Sequence, residues 1–190
     1  MRQPSNFVLL DASCLINLYA TGRLREIALA LPYPLGVSDY VVEKEALYVW
    51  RAGASTAEDE RALVDLEPLI EEGLIRVMCL ETEDEERSFV DLASTMDDGE
   101  AITGAIALHR AYAVATDDRK ARRILTELPD AVPLVSTLEL LKQWSELAPI
   151  PVAELRDAFA AMESGASYVP GERDPLSAWW RRVMYGDETP

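Results

Sequence analysis

Four acids, Asp11, Glu45, Glu100 and Asp118, stand far apart in this 190-residue chain, yet each falls where a carboxylate can meet the others. Asp11 directly follows the apolar run Phe7-Val-Leu-Leu10, and Asp117-Asp118 directly follow Ala113-Val-Ala115. In a parallel α/β sheet, ligands collect at the carboxyl ends of the strands, where these acids are expected. Acids at such places also cap helix N-termini, which stabilises a helix by about 0.3–1 kcal/mol each. Glu100 opens a predicted helix after Gly99, and the small residues Ala101, Gly104 and Ala105 let that helix lie close to a sheet. Glu45 falls in a helix predicted over Tyr40 to Trp50 and shares an apolar stripe with Val41, Val42 and Val49. A carboxylate on such a stripe needs a partner or a cation.

Four converging carboxylates repel one another unless a cation joins them. Oxygen ligands suit Mg²⁺ or Mn²⁺, which keep several waters and bridge to phosphate oxygens. Zinc fits less well without nitrogen or sulfur ligands. The chain has one histidine, His109, and two cysteines, Cys14 and Cys79. Nothing around His109 makes a nucleophile–base arrangement, and its place near a helix end suits a dipole partner. Both cysteines are expected to be buried thiols. Chemistry in this chain therefore rests on carboxylates.

The net charge of −16, from 34 acidic and 18 basic residues, runs against nucleic-acid binding, which normally uses a basic surface. Arg119, Lys120, Arg122 and Arg123 are the local exception. They crowd the start of the helix after Asp118, where cations and the helix dipole can receive a phosphate backbone. A solvated helix face explains them equally well.

The elements that must position these groups alternate. Strands are expected at Phe7–Leu10, Leu35–Val37, Leu74–Leu80, Ala113–Ala115 and Leu134–Val135. Between them, helices are predicted over Cys14–Leu18, Leu24–Leu31, Tyr40–Trp50, an acidic stretch ending near Gly73, Thr82–Ala93, Asp98–Arg110, Asp118–Leu128 and Thr137–Leu147. Thr82 with Glu85 has capping-box spacing. Strands alternating with helices imply a parallel sheet covered on both faces. Past Pro149 the alternation stops and one or two helices remain. The division expected is an α/β domain over 1–148 and a helical C-terminal extension over 149–190. Trp179 and Trp180 beside Arg181 and Arg182 are read as anchoring the last helix on its own domain or a twin subunit, or as base-stacking groups. No segment approaches the ~20 apolar residues of a membrane span, and no signal peptide is evident, so a cytoplasmic protein is expected.

Asp11-Ala-Ser-Cys-Leu-Ile-Asn17, Val42-Glu-Lys-Glu45, Gly99-Glu-Ala101 and Thr116-Asp-Asp118 together resemble the PIN domain in order, spacing and setting, across about residues 5 to 145. The resemblance implies a three-layer α/β/α fold with a central parallel sheet, cleaving single-stranded RNA with one or two divalent ions. It implies Asp11, Glu45, Glu100 and Asp118 as ligands, with Ser13 and Thr116 as nearby hydroxyls. Asp117 can exchange roles with Asp118, and Asp97 or Asp98 can assist Glu100. Many bacterial members are VapC-like toxins that dimerise and pair with a small antitoxin, so a homodimer and an antitoxin-like partner are expected. The residues after about 150 depart from that pattern. A binding or scaffold protein that keeps the fold without turnover is the alternative. A phosphoaspartyl phosphatase is disfavoured because Ser13 occupies the place of its second Asp, and a receiver domain because no central-strand acceptor and later Lys can be placed.

Overall fold

The Phe7–Leu10 run forms a strand, β1 (Val8–Leu10), with all three residues buried. In the computed structural model, which describes residues 6–45, 47–50 and 61–186, it lies at the middle of a five-stranded parallel sheet. Its other members are β2 (Leu35–Ser38), β5 (Ile75–Met78), β6 (Ala113–Ala115) and β7 (Leu134–Val135), in the order β5-β2-β1-β6-β7. Leu9 pairs with Gly36 on one side and Val114 on the other. Gly36 is required there because a Cβ would meet the Phe7 ring at 2.6 Å. The fold is α/β, a central parallel sheet flanked by helices, as expected.

The chain divides into two units. One comprises Met1–Leu15, Pro32–Ala46 and Asp65–Thr137; the other comprises Ile16–Leu31, Leu47–Val64 and Leu138–Pro190.

The first unit holds the whole sheet, with helices α3 (Asp39–Lys44), α4 (Glu67–Glu71), α5 (Glu83–Ala93), α6 (Asp98–Arg110) and α7 (Arg119–Glu127). Leu9, Val114, Leu92, Ile102, Ile106 and Leu125 join in one apolar core. Ala101 and Ala105 are fully buried, as their small size predicts. Gly104 instead faces neighbouring helices, since a Cβ there would meet Leu125 at 2.8 Å and Leu92 at 3.3 Å. The Thr82–Glu85 capping box is present: the Thr82 hydroxyl accepts from the Glu85 N–H at 3.2 Å, and Glu85 accepts from the Thr82 N–H at 3.2 Å. Glu85 is also clamped by Arg110, whose Nε and a terminal nitrogen donate to its two oxygens at 2.6 and 3.0 Å.

The second unit contains most of α1 (Ala12–Ala20), α2 (Leu24–Ala30), most of α8 (Thr137–Leu147), then α9 (Val152–Ala166) and α10 (Ser177–Tyr185). Trp180 stacks on Phe159 with centroids 4.3 Å apart, and Trp179 meets the same ring edge-on at 5.2 Å. These tryptophans therefore anchor the last helix on its own chain.

Three expectations are corrected. The helix expected over Tyr40–Trp50 ends at Lys44. Tyr48–Trp50 is instead a strand, β3, paired antiparallel with β4 (Arg61–Leu63). Tyr, Val and Trp favour a pleated surface, and Arg61 covers the Trp50 ring at 4.7 Å. Of the long acidic helix expected to end near Gly73, only Glu67–Glu71 is helical among the described residues, and β4 occupies part of the rest. The Arg51–Thr56 stretch and Glu58 to Glu60 lie outside the described residues. Cys79, expected to be buried, is exposed, as are Arg76 and Val77 on the edge strand β5 that it follows; Cys14 is buried as expected. Among the described residues no helix is long and apolar enough to cross a membrane.

Candidate functional site

The sheet order creates a topological switch point. After β1 the chain moves toward β2, and after β6 it moves the opposite way, toward β7. Such reversals open a crevice at the carboxyl ends of the two adjacent strands. Asp11 and Asp118 follow those two strand ends.

Asp11 is fixed by its surroundings. Its N–H donates to the Ala115 carbonyl at 3.0 Å, continuing the β1–β6 ladder. Its Oδ1 accepts from the Cys14 N–H at 2.7 Å and the Ser13 hydroxyl at 2.9 Å, and Thr116 supplies a further side-chain hydrogen bond. The residue is only 4% exposed. Burial pushes its carboxyl above the usual range, more than these hydrogen bonds pull it down, and the charge of Asp117 adds to the rise.

Glu45 reaches the same cleft by a route the sequence did not suggest. It is the residue after α3, with extended backbone at φ −91° and ψ 127°, rather than a mid-helix position. The stripe shared with Val49 therefore does not exist. Its carboxylate packs against Gly99, where any Cβ would overlap Oε1. Burial raises its pKa, and the charges of Asp11 and Asp97 raise it further.

Glu100 is the third residue of α6. Its Oε2 accepts from the Asp97 N–H at a long 3.4 Å, a weak form of the capping-box contact. Burial, then the charge of Asp118, raises its pKa.

Asp118 caps α7, its Oδ1 accepting from the Ala121 N–H at 2.7 Å, and still lines the cleft. Asp117 turns elsewhere. One of its oxygens accepts from the Thr137 N–H at 3.0 Å, and the other lies 3.7 Å from the Cys14 thiol. The Thr137 hydroxyl donates to that sulfur at 3.1 Å, and burial holds the thiol well above its ordinary pKa. Neither Asp117 nor Cys14 lines the cleft, so the geometry separates the two adjacent aspartates.

The cleft encloses about 400 Å³ and is lined by Asp11, Ala12, Ser13, Tyr40, Glu45, Asp97, Asp98, Gly99, Glu100 and Asp118. It brings together the four expected acids, Ser13, and the two flanking aspartates. Thr116 lies buried just beneath, accepting from the Asp118 N–H at 3.1 Å. Tyr40 was not foreseen. Its hydroxyl donates to Asp98 at 3.3 Å, and a tyrosine opening a helix carries no sequence signal for that contact.

The basic run is divided. Arg119, Lys120 and Arg123 are exposed on α7, whereas Arg122 is half-buried and donates to the Thr116 carbonyl at 2.8 Å. His109 lies outside the cleft, 2.8 Å from the Ser88 hydroxyl.

Among the described residues, no basic side chain is ion-paired with a cleft carboxylate; the ion pairs of Arg87, Arg110 and Lys142 lie elsewhere. The cleft offers only oxygen donors, which matches the preference of Mg²⁺ or Mn²⁺. Among the described residues no three acidic, cysteine or histidine groups are gathered tightly enough to grip an ion in their present rotamers. Compared with known proteins, the chain matches no family model and no curated protein.

Proposed function

We propose that this protein is a Mg²⁺- or Mn²⁺-dependent endoribonuclease of the PIN-domain kind, cleaving single-stranded RNA. One observation carries the proposal. Four carboxylates from four separate segments line a single cleft at the switch point, with no cation among the described residues ion-paired to them. Three of them have raised pKa values, caused first by burial and then by one another or by neighbouring acids. A divalent ion bound there would activate water and offset charge on a phosphodiester.

The chain's own residues supply the rest. Ser13, the Cys14 N–H and Thr116 hold Asp11 in one orientation, so little side-chain entropy remains to be lost on binding. Asp118 is fixed by its cap to Ala121. Glu45, just after α3, and Glu100, in the first turn of α6, line the same cleft. Arg119, Lys120 and Arg123, exposed on the helix that Asp118 caps, would carry the flanking phosphates. RNA would then enter beside α7, since the acidity of the rest of the molecule repels it.

A second reading has its own support. Asp118 and Glu100 both serve helix N-termini, so part of the acidic pattern is accounted for by stability alone. A PIN-like binding or scaffold protein without turnover follows if those duties are the whole story.

Purified protein incubated with a mixed single-stranded RNA pool separates the two. The nuclease reading expects cleavage with Mg²⁺ or Mn²⁺, none with chelator, and loss in Asp11→Asn. Identical products from wild type and Asp11→Asn would defeat it. A cytoplasmic homodimer restrained by a small antitoxin-like protein is the biological setting this proposal implies, tested by co-purification with the product of a neighbouring reading frame.

A further inference from the structure

We infer that the Thr103 hydroxyl is a positioning group for Glu100, donating to its carboxylate when that side chain turns inward to hold a divalent ion. The inference rests on the metal-dependent reading above and deepens it.

Thr103 lies in α6, fully buried, and its Oγ1 has no hydrogen-bond partner among the described residues. An unsatisfied buried hydroxyl is destabilising, and valine would fill the same volume without that cost. Threonine within a helix commonly bonds back to a carbonyl of the preceding turn. Thr103 does not.

Its surroundings narrow the choice of acceptor. Thr103 lines a seam with Asp11, Glu100, Thr116, Val114 and Leu125 that admits no water-sized sphere. A trapped water is therefore not the missing partner. Val114 and Leu125 are apolar at their side chains. Thr116 is already engaged with Asp11 and the Asp118 N–H. The Asp11 carboxylate already takes three hydrogen bonds, from Ser13 and the Cys14 N–H at Oδ1 and from the Thr116 side chain.

Glu100 is the acceptor with something to gain. It precedes Thr103 by three residues, so the two share a helical face. Its contact with the Asp97 N–H is long, at 3.4 Å, and little is lost when it is given up. A carboxylate turned toward an ion while accepting from a buried hydroxyl is held in one rotamer, as outer partners hold ligands at metal sites.

The test is Mn²⁺ binding, followed by the paramagnetic resonance signal of free Mn²⁺, in wild type, Thr103→Val and Thr103→Ser, with thermal melts alongside. Thr103→Val is expected to weaken Mn²⁺ binding about tenfold, while melting at or above the wild-type temperature without metal. Thr103→Ser is expected to retain near-wild-type affinity. Equal weakening in both variants would overturn the inference, because it marks packing rather than the hydroxyl. So would a Thr103→Val protein that binds Mn²⁺ as tightly as wild type, and that result leaves the metal site itself standing. A wild-type protein that binds no Mn²⁺ overturns the metal reading and this inference together.

Discussion

The Glu45 carboxylate lies against Gly99 so closely that a Cβ on residue 99 would overlap its Oε1. The end of α3 and the first turn of α6 are thereby fitted to each other through an acid and a missing side chain.

Gly99→Ala is expected to displace Glu45 without unfolding the protein. Alanine favours a helix over glycine by about 0.5–1 kcal/mol, which offsets part of the collision. The expected result is Mn²⁺ affinity and RNA cleavage lowered about tenfold, by analogy with other metal-site supports, with a melting temperature close to wild type. Isothermal titration with Mn²⁺ checks this, and unchanged affinity would remove Glu45 from the site.

Asp117 and Asp118 are expected to separate cleanly. Asp118→Asn keeps a good N-cap, since Asn ranks with Asp there. It should retain wild-type stability and lose metal-dependent cleavage. Asp117→Ala removes the acceptor of the Thr137 N–H and the neighbour of Cys14. It should cost about 1–3 kcal/mol in urea unfolding, with Mn²⁺ affinity preserved in the folded fraction.

The cleft acids give a pH dependence in metal-free protein. Asp11, Glu45 and Glu100 have pKa values raised in the folded state, so folding is disfavoured by their ionisation. That contribution is best at low pH and is lost as pH rises through the folded values. Asp11→Asn is therefore expected to melt above wild type at pH 7 without metal, with the gap closing in acid. Mg²⁺ should raise the wild-type melting temperature more at pH 7 than at pH 4.5. An Asp11→Asn protein less stable than wild type at pH 7 would contradict this account.

Glu85 has the opposite sign. Arg110 hydrogen bonds, more than its burial opposes them, lower its pKa to about 2 from 4.5. Its stabilising effect is full above the unfolded value and fades as pH falls from about 4.5 toward 2. Its side chain is itself buried but the Arg110 pair lies near the surface, so solvent screening leaves a contribution of about 1–3 kcal/mol at neutral pH. Glu85→Gln should be much less stable than wild type at pH 7 and nearly equal to it near pH 2, read by urea midpoints. Breaking such a buried pair from one side commonly costs about 3–5 kcal/mol.

Much of this fold is written locally. The all-apolar run ending at Leu10, the Thr82–Glu85 capping box and the Asp98–Arg110 helix depend on neighbours within a few residues, and each lies where its sequence pattern puts it. Asp11, Glu100 and Asp118 were found by the same means, because strand ends and helix starts are local features, whereas Glu45 was reached through a helical stripe that the fold does not contain. The Tyr40–Trp50 helix failed for the converse reason. Val41, Val42 and Val49 have helical spacing, but Tyr48–Trp50 gains a pairing partner at Arg61–Leu63 that no local window contains.

The sequence alone thus determined most of the element types and the positions of Asp11, Glu100 and Asp118 at strand ends and helix starts. Tertiary structure decided the rest. The order β5-β2-β1-β6-β7 made the ends of β1 and β6 neighbours, and only then do Asp11 and Asp118 share a crevice. Side-chain direction split Asp118 from Asp117, adjacent in sequence but committed to different partners. The four carboxylates that opened the reading are kept, but Glu45 belongs through Gly99 rather than through a helical stripe. The pairing of β1 with β6 joins residues about a hundred positions apart, and Asp117 is drawn away by Thr137 and Cys14, 20 and 103 positions distant, contacts that spacing along the chain does not encode.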